Sequence, residues 1–83
     1  MSPFGSYISA TAARQMLELA EDEQWRALRA VEILAEHPYT SGLPHWIGED
    51  GRTNYLRQIH EWSLTFSIDH ADRRMLVLEI KRY

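Results

Sequence analysis

A change of hydrophobic period near the middle constrains this chain more than any other feature. As far as residue 36 apolar side chains recur at helical spacing, and from Trp62 onward they alternate. Trp62, Leu64, Phe66 and Ile68 interleave with Ser63, Thr65, Ser67 and Asp69, the pattern of a strand with one buried face. Leu76, Leu78 and Ile80 interleave in the same way with Val77, Glu79 and Lys81, so these three are expected to point inward. Asp69-His70-Ala71-Asp72-Arg73-Arg74 is a polar turn between the two runs, which therefore form a hairpin. Tyr55 to Ile59 reads as a further strand just before them, and Phe4 to Ile8 as an edge or first strand.

Two helices precede the hairpin. Ser9 or Thr11 can cap the first, in which Ala13, Met16, Leu17 and Ala20 fall at i, i+3, i+4 and i+7. Asp22 offers the next cap, and a second helix over Glu23 to Glu36 carries Ala27, Leu28, Ala30, Val31, Ile33 and Leu34. That face is wide enough to touch both a partner helix and a sheet. The helix stops at His37-Pro38, because the residue before proline is pushed out of the helical region. Helices joined by two or three residues fold back on each other. From Pro38 to Thr53 the chain is irregular, and Trp46 and Ile47 are expected to pin it to the core. Helices first and strands afterwards define an α+β fold. The expected architecture is a helical hairpin packed on one face of a small antiparallel sheet, in the order β-α-α-β-β-β. Met16, Leu17, Leu28 and Val31 should face Leu64, Phe66, Leu76 and Leu78.

Eighty-three residues support one core, so residues 1–83 are expected to form a single domain. With no cysteine there is no disulfide and no thiolate site, which suits a reducing, cytoplasmic setting. No apolar run is long enough for a membrane span, and the first residues lack the pattern of a signal peptide. His37, His45, His60 and His70 have no mutual metal-ligand spacing, so neither metal nor cofactor is expected. His60-Glu61 lies in a tight connection and reads as a turn pair. Of Trp25, Trp46 and Trp62, the last stands in the apolar phase of its strand and reads as core. Charge is uneven. Residues 1–50 hold three arginines against eight carboxylates, and residues 51–83 hold six cations against four carboxylates. The C-terminal part is thus the electropositive one.

Several stretches carry a likeness to a known family. Ala12 and Ala13 open the first helix with small residues, and Ile33 to Pro38, ILAEHP, ends the second on leucine, acid and proline. Tyr55 to Asp69, YLRQIHEWSLTFSID, follows an aromatic, alternating strand, tight turn, alternating strand, acid pattern. In these features the chain resembles the RelE/ParE toxin superfamily, and its short hairpin resembles the RelE branch. The resemblance implies a toxin neutralised by a cognate antitoxin protein. RelE-like members cleave mRNA in the ribosome, and ParE-like members inhibit DNA gyrase. RelE-like cleavage relies on basic side chains of the open sheet face. Here the family's strand arginine falls on Ser63, and two basic positions of the preceding strand fall on Leu56 and Gln58. The resemblance then leaves Arg57, Lys81, Arg82 and Tyr83 as the catalytic candidates. Arg82 would hold the scissile phosphate, Tyr83 would orient it or donate a proton, and Lys81 would add charge. Arg57 is one residue out of phase and would need a bulge to reach them. The alternative is a non-catalytic binding module on the same fold, a gyrase inhibitor or an inactive toxin homologue. On either reading an antitoxin segment is expected over Ser63, Thr65 and Lys81–Tyr83.

Overall fold

Helices and strands appear in the order that the change of period implies, with one strand added. The structure, a computed structural model, describes residues 5–82. Phe4, at the expected start of the first strand, and Tyr83 lie outside the described residues. The elements are β1 (Gly5–Ile8), α1 (Ala10–Leu17), α2 (Glu21–Glu36), β2 (His45–Ile47), β3 (Thr53–Ile59), β4 (Trp62–Asp69) and β5 (Arg74–Arg82). One sheet runs β1-β5-β4-β3-β2. Neighbours from β2 to β5 are antiparallel, whereas β1 runs parallel to β5. The fold class is thus α+β as expected, with the sheet mostly rather than wholly antiparallel. Tight turns force the antiparallel pairs. β1 leads instead into helices, and a long crossover permits a parallel partner.

Ser9 joins β1 to α1 and ties both to β5. Its Oγ accepts from the Ala12 N–H at 3.1 Å, as an N-cap does, and donates to the Leu78 carbonyl at 2.9 Å. Its own N–H donates to the Val77 carbonyl at 2.9 Å. Beyond the last β1 pair, Ile8 with Val77, β5 has a free edge. There the Ile80 N–H donates to Gln15 Oε1 of α1 at 2.7 Å, which blunts an edge that another chain would otherwise pair with. α1 consequently lies against β5 and touches α2 only lightly. It buries Ala12 and Met16, but Leu17, expected inward, is 76% exposed. One residue past Met16 is a turn of about 100°, enough to carry Leu17 off the sheet.

α2 begins two residues earlier than Asp22 would allow as a cap. Ala20 occupies the N-cap, where its side chain can accept nothing. Glu23 at the third helical position supplies the missing bond, accepting from the Ala20 N–H at 3.2 Å. Ala27, Ala30, Val31, Leu34 and Ala35 are buried, and the alanines let the helix approach the sheet closely. The helix ends at His37 before Pro38, as expected.

In the core lie Trp62, Leu64 and Phe66 of β4, in the expected phase, with Met75, Val77 and Ile80 of β5. The phase expected for β5 is corrected at two positions, since Leu76 and Leu78 do not face the core. A register shift explains it. Phe66 pairs with Val77 and Thr65 with Glu79, leaving Leu78 as an extra residue. Such a bulge switches the phase of a strand part-way along. A second correction concerns residues 38–53. His45–Ile47 is an edge strand paired with Tyr55, Asn54 and Thr53, and Trp46 and Ile47 are 43% and 66% exposed. The β2–β3 turn is closed by the Gly48 N–H donating to the Arg52 carbonyl at 2.8 Å, with Gly51 at φ 81°. In the β3–β4 turn His60 adopts φ 55°, the conformational role expected of the His60-Glu61 pair.

Candidate functional site

Strand alternation assigns each side chain to one face of the sheet. Tyr55, Arg57 and Ile59 pair with Phe66, Leu64 and Trp62, so all six belong to the face that the helices cover. Asn54, Leu56 and Gln58 pair with Ser67, Thr65 and Ser63 on the opposite face, which neither described helix packs across. In β5, Ile80 and Arg82 are on the helix face, and Glu79 and Lys81 are on the open one.

Of the four expected site residues, the three that are described are therefore not gathered at one place. Arg57 donates from Nη1 to the His37 carbonyl at 2.6 Å. That carbonyl ends α2, whose last turn contains no basic residue of its own, and a cation there complements the helix dipole. Arg82 pairs with Glu23 in the first turn of α2. The two arginines thus hold opposite ends of one helix against β3 and β5. Arg26 adds a third tie, with its Nε 3.2 Å from Glu61 Oε1 in the β3–β4 turn. Of the three described, Lys81 alone stands on the open face, opposite Ser63, with its Nζ 3.7 Å from Glu79 Oε2. Tyr83 lies outside the described residues.

Three cross-strand rows organise the open face. Gln58, Ser63 and Lys81 form the first, and Leu56, Thr65 and Glu79 the second. The third crosses all five strands as Trp46, Asn54, Ser67, Leu76 and Tyr7. Two hollows open on this face. One, of about 350 Å³, has Trp46, Asn54, Thr65 and Glu79 among its walls. The other, of about 390 Å³, is lined by Tyr7, Arg52 and Arg74 together with Asp69, Asp72 and Leu76.

No protein-family model matches the sequence, and neither does any curated protein. Solved structures do match, over nearly the whole chain. A chain of the RelBE2 toxin–antitoxin complex from Mycobacterium tuberculosis superposes with a TM-score of 0.79 at 17% identity, covering 98% of this chain and 99% of that one. The isolated RelE toxin from E. coli superposes with a TM-score of 0.70 at 10% identity, covering 95% and 83%. The fold is that of a RelE toxin. A chain of the intact E. coli RelBE complex gives a TM-score of 0.70 at 8% identity over 96% of both chains.

On this RelE fold, sequence reasoning located Ser63 and Lys81 on the open face but missed Tyr7, Arg52 and Arg74. Tyr7 reaches the face only through the parallel β1–β5 pair, which an all-antiparallel sheet does not contain. Arg74 read as part of a polar turn, although it is the first residue of β5, two before Leu76 and in its phase. That spacing was the available signal.

Proposed function

We propose that this chain is the toxin of a two-gene toxin–antitoxin module, cytoplasmic and neutralised by a cognate antitoxin protein, and that it acts on translation. The observation that carries the reading is the end-to-end likeness to RelE chains, among them chains solved within toxin–antitoxin complexes. The open face fits such a role, because it offers a surface that the chain's own helices leave free. Attack of a ribose 2′-OH on its neighbouring phosphate needs a base, a cation for the developing negative charge, and an acid for the leaving oxygen. In the row Gln58–Ser63–Lys81, Lys81 is the cation, and Gln58 and Ser63 can donate hydrogen bonds. Arg57 and Arg82 would have to leave α2 to serve, so we assign the phosphate contact to Lys81 first and to Arg82 only with movement of the strand end, and keep for Tyr83 the orienting or proton-donating role.

A second reading has one observation in its favour. The first row holds a single cation, with Glu79 close beside it, which suits a face that binds without cutting, whether on the ribosome or on DNA gyrase. Controlled induction separates the readings, with growth, protein synthesis, mRNA integrity and DNA supercoiling followed together. The proposal expects growth arrest relieved by the neighbouring gene's product, with protein synthesis falling first and supercoiling unchanged. Arrest with altered supercoiling and intact translation would favour the second reading, and absence of arrest would contradict both.

A further inference from the structure

The hollow at the β4–β5 turn lies on the open face but away from the row that contains Lys81. Its chemistry is mixed. The Arg74 guanidinium carbon is 5.4 Å from the centre of the Tyr7 ring, and no carboxylate among the described residues lies within ion-pair distance of Arg74. Among the described carboxylates the Arg52 guanidinium meets only Asp50, at 4.0 Å. Tyr7 is 51% exposed, and Leu76 continues the floor beside it. Two carboxylates, Asp69 and Asp72, complete the walls. An exposed ring with one guanidinium over it, in a hollow lined by a second, suits a base stacked on the ring's exposed face with its phosphate at the guanidinium groups. The carboxylates distinguish the hollow from a plain anion trap. They repel a free phosphate anion, whereas base amino groups and a ribose 2′-OH can donate to them.

We propose that this hollow binds one nucleotide of single-stranded RNA crossing the open face, with Tyr7 as the stacking platform and Arg52 and Arg74 as the phosphate clamp. Trp46 closes the opposite end of the same cross-strand row. Four strand spacings separate the two rings, about 19 Å, a length that a few nucleotides of extended RNA bridge. The site gives the reading above its substrate contact outside the reacting row, and it rests on that reading for the identity of the ligand as RNA.

The test is fluorescence anisotropy of a labelled hexaribonucleotide with the purified full chain, over a range of salt. Arg52→Ala/Arg74→Ala should weaken binding at least tenfold and make the plot of log affinity against log salt shallower by about 0.7, the loss expected when one phosphate of a single strand is no longer neutralised. Tyr7→Leu should weaken binding with the salt slope unchanged, because stacking releases no counter-ions. Arg29→Ala, on the outer side of α2, should change neither. Excess nucleoside monophosphate should displace the label, and the same concentration of inorganic phosphate should not. Wild-type affinity and slope in the double variant would overturn the inference while leaving the toxin reading intact, since that reading is judged by growth arrest. Displacement by phosphate as effective as by nucleotide, no RNA binding by the wild-type chain, or loss of antitoxin binding in place of RNA binding in the double variant would also overturn it.

Discussion

The helix-covered face of the sheet is apolar at its centre and charged at its rim, and each rim arginine is committed to one end of α2. The open face carries Ser63, Thr65 and Ser67 along its middle strand, with Lys81, Arg52 and Arg74 distributed around them. Both faces are cut from the same strands, residue by residue. The contrast shows that a basic residue near the C terminus says little about function until its face is known. Arg82 and Lys81 are adjacent in sequence, yet one fastens a helix and the other stands beside Glu79 on open surface.

Substitutions can break or sharpen this contrast. The largest effect is expected at the centre of the covered face. Phe66 is fully buried and its ring centre is 5.6 Å from that of Tyr55. Phe66→Ala should cost about 3–5 kcal/mol, a large share of the stability of so small a chain, and chemical denaturation would measure it. An unchanged midpoint would mean that the strand phase is wrong. At the rim, Arg57→Ala removes a charge-assisted bond to the end of α2 and should cost about 1 kcal/mol. Arg82→Gln should cost less, about 0.5 kcal/mol, because the Arg82 side chain is half exposed and solvent screens its pair with Glu23. Added salt should shrink that difference further. Smallest of all, Ser63→Ala and Lys81→Ala should each shift stability by no more than about 0.5 kcal/mol, since neither side chain supports the core. A larger loss at Lys81 than at Arg57 would reverse the contrast.

Much of this arrangement is legible in the sequence. Period two in residues 62–69 correctly placed Trp62, Leu64 and Phe66 inside, because alternation and burial are one geometric fact in a regular strand. The same rule failed in β5, where the extra residue Leu78 exchanges the faces and puts Met75, Val77 and Ile80 in the core. Leu76 and Leu78 are as apolar as the residues that replaced them, so composition gave no warning. β2 went unread because it is three residues long between Pro44 and Gly48, shorter than a window in which alternation can be recognised. As for the site, the faces of Arg57 and Lys81 followed from phase counting, whereas the bond from Arg57 to His37 depends on where α2 ends over the sheet. Tyr7, Arg52 and Arg74 come from three separate stretches, and only the parallel β1–β5 pair and the β2–β3 turn bring them together.

The account rests on the claim that the open face acts while the cations of the covered face hold the fold. Protein synthesis in a cell-free system, programmed with a defined mRNA and titrated with the wild-type chain, Lys81→Ala and Arg57→Ala, tests this most directly. Loss of Lys81 should lower the rate of inhibition about a hundredfold, the usual effect of removing one transition-state contact. Arg57→Ala, assayed below its melting temperature, should retain most of the inhibition. Full inhibition by Lys81→Ala together with none by a folded Arg57→Ala would contradict the account.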